Sequence, residues 1–548
     1  MPGRTTTGRR LFALVAVVAT AASALALGIA PAPAATAQSR PNILFVLTDD
    51  LDTAELQFMP HTLHLIAGGG ATFDNYFVSD SLCCPSRTTT IRGQYAHNTG
   101  VWSNGGTNGG FERAYSEGIE QDTVATRLHD AGYRTALLGK YLNGYPNTAP
   151  IRYVPPGWTS WASPVLGHPY GEYDYSLNLN GLIEHFGRAP RDYGTTVYMQ
   201  RARHFMLGAI RAHQPFFTYL AVYAPHQPAT PAPQDVAKFA NARVPRTPAY
   251  DQADVSTMPR YIQDLPRFTP SERAAIDDLY RLRIRSLQAV DRGVASLVQT
   301  LRSTGQLDNT YIVFTSDNGF HLGQHRLPAG KQTPYDTDTH VPMLVRGPGI
   351  APGSHVSGLT GNIDLAPTFE RMAGVRPPSF TDGRDMLGLA RDNAHTIANW
   401  RNAYLIEHRA ETLAGAPPRK RSLPLEPPDP DQAGIDRIHH IAHIRHSRPP
   451  HAHPWPRSHG HLVEPRDDPV LERYAPIPDY DAVRTTRYLY VEYATGEREL
   501  YDTRVDPEEI HNLAGTQPSL EHALAVRITH LQSCRGATCR IADSSRTT

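Results

Sequence analysis

The sequence predicts an α/β fold: a large, mostly parallel central sheet flanked by helices, followed by a smaller antiparallel-sheet subdomain at the C-terminal end. Three observations carry the prediction. Four short apolar runs each break off into polar residues, a long helical repeat of apolar residues separates two of them, and an alternating run stands near the end of the chain.

Asn42 to Leu47 (NILFVL) is continuously apolar, as a strand buried on both faces must be, and it stops at Thr48-Asp49-Asp50. Thr123 to Ala131 has helical spacing that Gly132 can end, and Arg134 to Leu138 reads as a strand leading into Gly139-Lys140. Pro215 to Val222 (PFFTYLAV) is a third strand, ending in Tyr223-Ala224-Pro225-His226. From Ser271 to about Ser303, Leu279, Ile284, Leu287, Val290, Val294 and Leu297 recur near the helical period. Thr310 to Phe314 (TYIVF) is a fourth strand and runs out into Thr315-Ser316-Asp317-Asn318-Gly319. Ligands of such sheets bind beyond the carboxyl ends of the strands. The fold class alone therefore gathers Asp49-Asp50, Lys140, His226 and Asp317-Asn318 at one edge.

The texture changes after about Leu405. Residues 406–470 are rich in Pro, Arg and His and read as an irregular insertion; its histidines are a metal-binding candidate, a solvated loop being the simpler reading. Beyond it, Arg487 to Tyr493 alternates and Thr495-Gly496 can turn the chain into a return strand at Glu499 to Tyr501, which makes 471–548 the C-terminal subdomain. At the other end, Arg9-Arg10 precede an apolar stretch from Leu11 to about Ala30, and Ala35-Thr36-Ala37 offers a cleavage site. Residues 1–37 are thus expected to be a signal peptide, with 38–405 the catalytic domain. The expected location is secreted, cell-surface or extracytoplasmic, with no stable membrane insertion after cleavage; the arginine pair fits a twin-Arg route, and an uncleaved anchor is the competing reading. Cys534 and Cys539 suit a small disulfide loop in an exported protein. Lys+Arg and Asp+Glu are both 53, a net charge of +0, so no global field attracts nucleic acid and anion recognition must be local.

The chemistry concentrates in Ser81 to Tyr95, SLCCPSRTTTIRGQY. Pro85 fits the first turn of a helix, which puts Cys83 just before the helix N-terminus, where backbone N–H groups favour an anion, and Arg87 about one turn on. On position alone Cys83 is equally a nucleophile or a buried or bonded thiol. Cys83-Cys84-Pro85-Ser86-Arg87 resembles the sulfatase signature Cys-x-Pro-Ser-Arg. So, in family order, do PNILFVLTDD, GYRTALLGKY, APHQP, TSDNGFHLGQH, Gly330-Lys331, VPMLVRGPGI and ELYDTRVDPEE.

The resemblance implies an alkaline-phosphatase-like sandwich and a sulfuric ester hydrolase whose Cys83 is oxidised to formylglycine by a formylglycine-generating enzyme during maturation. An aldehyde hydrate offers two hydroxyls: one attacks sulfur and is sulfated, and the other then expels sulfate. It implies one Ca²⁺ held by Asp49, Asp50, Asp317, Asn318 and residue 83, and hard oxygen ligands of this kind suit Ca²⁺ better than zinc. It assigns Lys140 and Lys331 to the sulfate oxygens, Arg87 to the hydrated formylglycine, His226 to the leaving-group oxygen as acid, and Asp317 a second role as base. His321 and His325 lie nearby with roles open. Many sulfatases carry a histidine two residues after the first lysine; here that position is Leu142. GKYLN, with Pro156-Gly157-Trp158 and Tyr175 to Gly181, resembles the glucosamine-6-sulfatase branch, which implies a sulfated sugar such as N-acetylglucosamine 6-sulfate. Two alternatives stand beside this: a phosphomonoester or phosphonate monoester hydrolase of the same superfamily, and a non-catalytic glycan-binding protein.

Overall fold

The computed structural model describes residues 40–392, 397–411 and 477–545. The expected signal peptide and most of the expected insertion, with all its histidines but His408, lie outside the described residues.

In chain order the strands of the main body are β1 (Asn42–Asp49), β2 (Ala71–Phe73), β3 (Tyr76–Phe77), β4 (Arg134–Gly139), β5 (Ser160–Gly167), β6 (Tyr175–Leu179), β7 (Leu182–Phe186), β8 (Phe216–Pro225), β9 (Thr310–Ser316), β10 (Met343–Arg346), β11 (Ser354–Val356) and β12 (Thr360–Gly361). Ten of them form one sheet in the order β11-β2-β10-β9-β1-β8-β4-β5-β6-β7, and β3 pairs with β12. The centre, β9-β1-β8-β4-β5, is parallel throughout, while β10 on one side and the β5-β6-β7 meander on the other are antiparallel.

Alternate residues of β1 bury themselves on opposite faces. Ile43, Phe45 and Leu47 pack with Ile91, Phe369 and Met372. Leu44 and Val46 pack with Val197, Ala202 and Met206 of the helix Gly194–Arg211 and with Leu287, Val290, Val294 and Leu297 of the helix Pro270–Ser303. Both faces of the sheet are therefore covered, which is why its central strands read as unbroken apolar runs. The long helix starts where its sequence says it should: Thr269 and Glu272 form a capping box and Pro270 occupies the first turn.

The central strands run further than their apolar runs. β1 reaches Asp49 and β9 reaches Ser316, because the ladder continues through Leu47–Thr315 and Thr48–Ser316. Polar residues stay in the strand there because they find buried partners, as when Thr48 Oγ1 donates to Thr315 O at 3.1 Å.

A second, antiparallel sheet has the order β13-β14-β15-β16, from β13 (Tyr404–His408), β14 (Tyr480–Arg484), β15 (Tyr488–Tyr493) and β16 (Arg498–Asp502). Its first strand thus comes from ahead of segment 412–476. Leu524, Ile528 and Leu531 of the helix Pro518–Leu531 join its core, and Cys534 and Cys539 are disulfide-bonded just beyond that helix.

Glu499 lies inside this core and accepts from Tyr335 (2.8 Å), Tyr501 (2.5 Å) and Tyr493 (2.6 Å). Burial pushes its carboxyl up to about 7 against those three hydroxyls. A carboxyl raised above its ordinary 4.5 holds its proton more tightly in the folded chain than in the unfolded one. Its contribution is therefore complete below about pH 4.5 and is lost as pH rises toward 7. Glu499→Gln, which keeps an acceptor oxygen, is expected to match the wild type at low pH and to exceed its stability above pH 7 by up to ~3 kcal/mol. Melting curves across pH check this; identical pH slopes for the two proteins would contradict it.

Candidate active site

The helix Cys83–Arg92 begins at Cys83 itself, one residue earlier than its sequence predicts, because Leu82 is extended (φ −139°, ψ 141°) and serves as the cap. Leu82 has no capping side chain, and Asn104 Oδ1 accepts from the Cys84 N–H instead, at 2.8 Å. Cys83 and Arg87 thus sit one turn apart at the buried start of this helix.

Lys140 follows β4 directly, and Gly139 makes that exit possible. Gly139 has φ +111°, and a Cβ there would lie 1.8 Å from Ala221 O, so only glycine lets the chain pass β8 at this point. The Lys140 N–H then donates to the same carbonyl at 2.9 Å. Asp49 ends β1, His226 follows β8, and Asp317-Asn318 follow β9. All the residues expected at the carboxyl edge are brought together there.

The contacts are tight and buried. Lys140 Nζ lies 2.7 Å from Asp49 Oδ2, and Lys331 Nζ lies 2.8 Å from both Asp50 Oδ1 and Cys83 Sγ. Cys83 Sγ is 3.5 Å from Asp49 Oδ1, and His226 Nε2 is 3.5 Å from Asp50 Oδ2. Arg87 Nε and Nη2 both reach Asp317 Oδ2 at 2.8 Å, and Nη2 approaches Asp49 Oδ1 at 3.4 Å. Lys140 and Lys331 are 3% and 1% exposed, so neither is a solvated surface lysine. Burial works against ionised Asp49, but Lys140, His226 and Arg87 outweigh it and hold the carboxyl below its usual range; Lys331 and His226 do the same for Asp50. Burial pushes the Cys83 thiol well up although Lys140 and Lys331 pull it down, so at neutral pH an unmodified Cys83 is a neutral, weakly nucleophilic thiol.

One ligating atom from each of Asp49, Asp50, Cys83 and His226 falls within 4.8 Å of the others. Asp50 Oδ2 and Asn318 Oδ1 are buried and accept no hydrogen bond. Unsatisfied carboxylate and amide oxygens in a buried site are costly unless a cation takes them up, so this oxygen-rich set fits a hard divalent ion. Asp317 is differently placed. Its Oδ1 accepts from the Asp50 and Asn318 N–H groups (3.1 and 2.8 Å), and its Oδ2 is taken by Arg87. Of the two open histidines, His321 Nδ1 lies 3.0 Å from both Asp338 oxygens. His325 Nδ1 lies 2.9 Å from Gln252 Oε1, and burial holds His325 down to about 3, so it is neutral at working pH.

Leu142, where many sulfatases carry a second histidine, is buried in the hydrophobic core. The ring of Tyr170 packs against the site, with its centroid 4.8 Å from Lys140 Nζ and 4.8 Å from the His226 ring. Nothing in the local sequence around Tyr170 signals this placement.

Arg283 carries a signal in the sequence that the apolar pattern around it masks. It sits between Leu279 and Leu287 on the apolar stripe of the long helix, a charged residue where the helical period demands a hydrophobic one. It is fully buried, donates to Glu55 Oε1 and Oε2 (2.8 and 2.6 Å), and donates from Nη2 to the Asp50 carbonyl (2.5 Å). Asp50 has φ +65°, a conformation that needs such bracing. Arg283→Met is expected to cost about 3–5 kcal/mol by stranding Glu55 without a counter-charge. Urea denaturation measures it; a loss below about 1 kcal/mol would mean that this pair holds nothing in place.

A mostly parallel sheet whose carboxyl edge gathers carboxylates able to hold a cation, with two lysines and an arginine around the buried Cys83, has the chemistry to bind an anionic ester. The chain belongs to the sulfatase family, whose description, Sulfatase, matches residues 41–375. It is 32% identical over 514 residues to human N-acetylglucosamine-6-sulfatase, covering 92% of this chain and 87% of that protein. It is 36% identical over 397 residues to the extracellular sulfatase SULF-1 homolog of Drosophila melanogaster, covering 71% of this chain but only 35% of that protein. The chain therefore spans about a third of that relative's length. A solved structure described as a complex with its substrate D-glucosamine-2-N,6-O-disulfate superposes with a TM-score of 0.67 at 22% identity, covering 93% of this chain and 100% of that one, which establishes the shared fold.

Proposed function

We propose that this protein hydrolyses a sulfate monoester, with a sulfated sugar such as N-acetylglucosamine 6-sulfate as substrate, and that it uses one Ca²⁺ and a formylglycine made from Cys83. The observation that carries this reading is the meeting of Cys83 Sγ with Lys331 Nζ at 2.8 Å and with the carboxylates of Asp49 and Asp50 inside one buried cluster. The cation and the hydrated aldehyde, when present, supply a nucleophilic hydroxyl at neutral pH and an anchor for the sulfate charge. Asp49, Asp50 and Asn318 would hold the ion; Asp317 would either join them or keep Arg87 aligned against residue 83. Lys140 and Lys331 bind the sulfate oxygens, where two buried ammonium groups favour an anion strongly because water does not screen them. His226 gives the departing sugar oxygen its proton.

Two further observations support the substrate and the location. The human relative is an N-acetylglucosamine-6-sulfatase aligned over most of both chains. The SULF-1 homolog is named an extracellular sulfatase, in keeping with a secreted or extracytoplasmic protein. Export by the twin-Arg route and maturation by a formylglycine-generating enzyme belong to the same reading. The test is release of inorganic sulfate from an aryl sulfate and from N-acetylglucosamine 6-sulfate, run beside the matching phosphate esters. Faster turnover of the sulfates is expected; turnover of the phosphates alone would overturn the assignment, and turnover of the aryl but not the sugar sulfate would overturn the substrate.

A further inference from the structure

We infer that the C-terminal sheet positions the sulfate-binding Lys331, through the hydroxyl of Tyr480 acting on a backbone turn that would otherwise relax. This rests on the reading of Lys331 as a sulfate ligand.

Lys331 lies between two pinned residues. On one side Gly330 exchanges backbone hydrogen bonds with His321 (2.8 and 3.1 Å), just beyond the metal-edge residues Asp317-Asn318. On the other, Thr333 donates from its N–H and its hydroxyl to Asp338 Oδ2 (2.9 and 2.6 Å), and its carbonyl accepts from Ser81 Oγ (3.1 Å) in the segment leading to Cys83. Between them stands Gln332, with φ +80°. A non-glycine residue keeps that left-handed backbone only where its surroundings enforce it.

The enforcing contact comes from β14. Tyr480, 1% exposed, donates from its hydroxyl to the Gln332 carbonyl at 3.0 Å. The same sheet, with the segment that follows it, grips the residues beyond Thr333: Arg484 pairs with both oxygens of Asp336 (3.0 and 2.8 Å), Glu499 accepts from Tyr335 (2.8 Å), and Glu509, past the last strand, accepts from the Asp336 N–H (2.9 Å). A rotation of Gln332 toward negative φ would swing the peptide that carries Lys331 and so move its ammonium away from Cys83. Tyr480 is thus a positioning residue: it acts through Gln332 and touches neither substrate nor metal.

The test is a cycle of four proteins: wild type, Tyr480→Phe, Gln332→Gly and the double variant. Phenylalanine keeps the ring and its stacking against His408, so the sheet is retained. Glycine occupies positive φ without penalty, so in the Gln332→Gly background the clamp is no longer needed. Two readouts are taken: kcat/KM for an aryl sulfate, and amide hydrogen exchange of the peptide containing Thr333. Tyr480→Phe is expected to lower kcat/KM by about 10-fold or more in the wild-type background and less than about 3-fold beside Gln332→Gly. It is also expected to speed exchange at Thr333 in the first background only. The inference is overturned if Tyr480→Phe leaves both readouts unchanged, or if its effect is the same factor in both backgrounds. Wild-type turnover is the control for the underlying reading: without it the proposed function fails, and the exchange data alone judge the clamp.

Discussion

Cys83→Ala is expected to abolish sulfate release, lowering kcat by about 10⁴-fold or more, while the protein stays folded. Cys83 is fully buried, and its sulfur touches Lys331 Nζ and Asp49, but the helix it opens is held by other contacts. Asn104 caps the Cys84 N–H and Ser86 Oγ donates to the Asp317 carbonyl at 2.5 Å, neither of which alanine disturbs. Alanine is also a good helix former. Activity and stability should therefore separate: turnover vanishes and the melting temperature shifts by only a few degrees, about what one lost buried contact costs. Steady-state kinetics with an aryl sulfate, beside thermal melting, decides it. Substantial turnover in a folded Cys83→Ala protein would mean that the reaction runs through another group.

Asp50→Asn is expected to cost about 10³-fold or more in kcat/KM and to remove the stabilisation that Ca²⁺ gives the wild type. Asp50 carries a buried oxygen with no hydrogen bond and also neutralises Lys331, so on the proposed reading losing its charge would weaken both cation binding and the placement of the lysine. A ligand at 100 times its dissociation constant stabilises a folded protein by about 2.7 kcal/mol. The chelated wild type should therefore melt several degrees lower and recover on adding Ca²⁺, whereas Asp50→Asn should melt at one temperature in either condition. A variant that still gains stability from Ca²⁺ would show that the ion sits elsewhere.

Much of this site was legible in the sequence because of one topological rule. Once NILFVL, RTALL, FFTYLAV and TYIVF are parallel neighbours, the residues that end them must share an edge, and Asp49, Lys140, His226 and Asp317 do. The strand ends were less legible, since polar residues such as Thr48 and Ser316 stay in the ladder by pairing with each other's strands. The β5-β6-β7 meander was missed because its outer strand, Leu182–Phe186, is largely exposed and carries no buried alternation. Tyr170 and Tyr480 were invisible for a different reason. Tyr170 reaches the site, and Tyr480 the turn beside Lys331, from elements distant in sequence, and a lone tyrosine carries no local pattern. Arg283 did carry one, a charge on an apolar helical stripe, which in a buried helix means a fixed counter-charge.

The state of residue 83 is the most direct measurement. Mass spectrometry of the peptide containing Cys83-Cys84-Pro85-Ser86-Arg87, from protein made in its own host, is expected to find residue 83 as an aldehyde, lighter than cysteine by the loss of H₂S and gain of one oxygen. An intact thiol at residue 83 in protein that actively releases sulfate would contradict the mechanism.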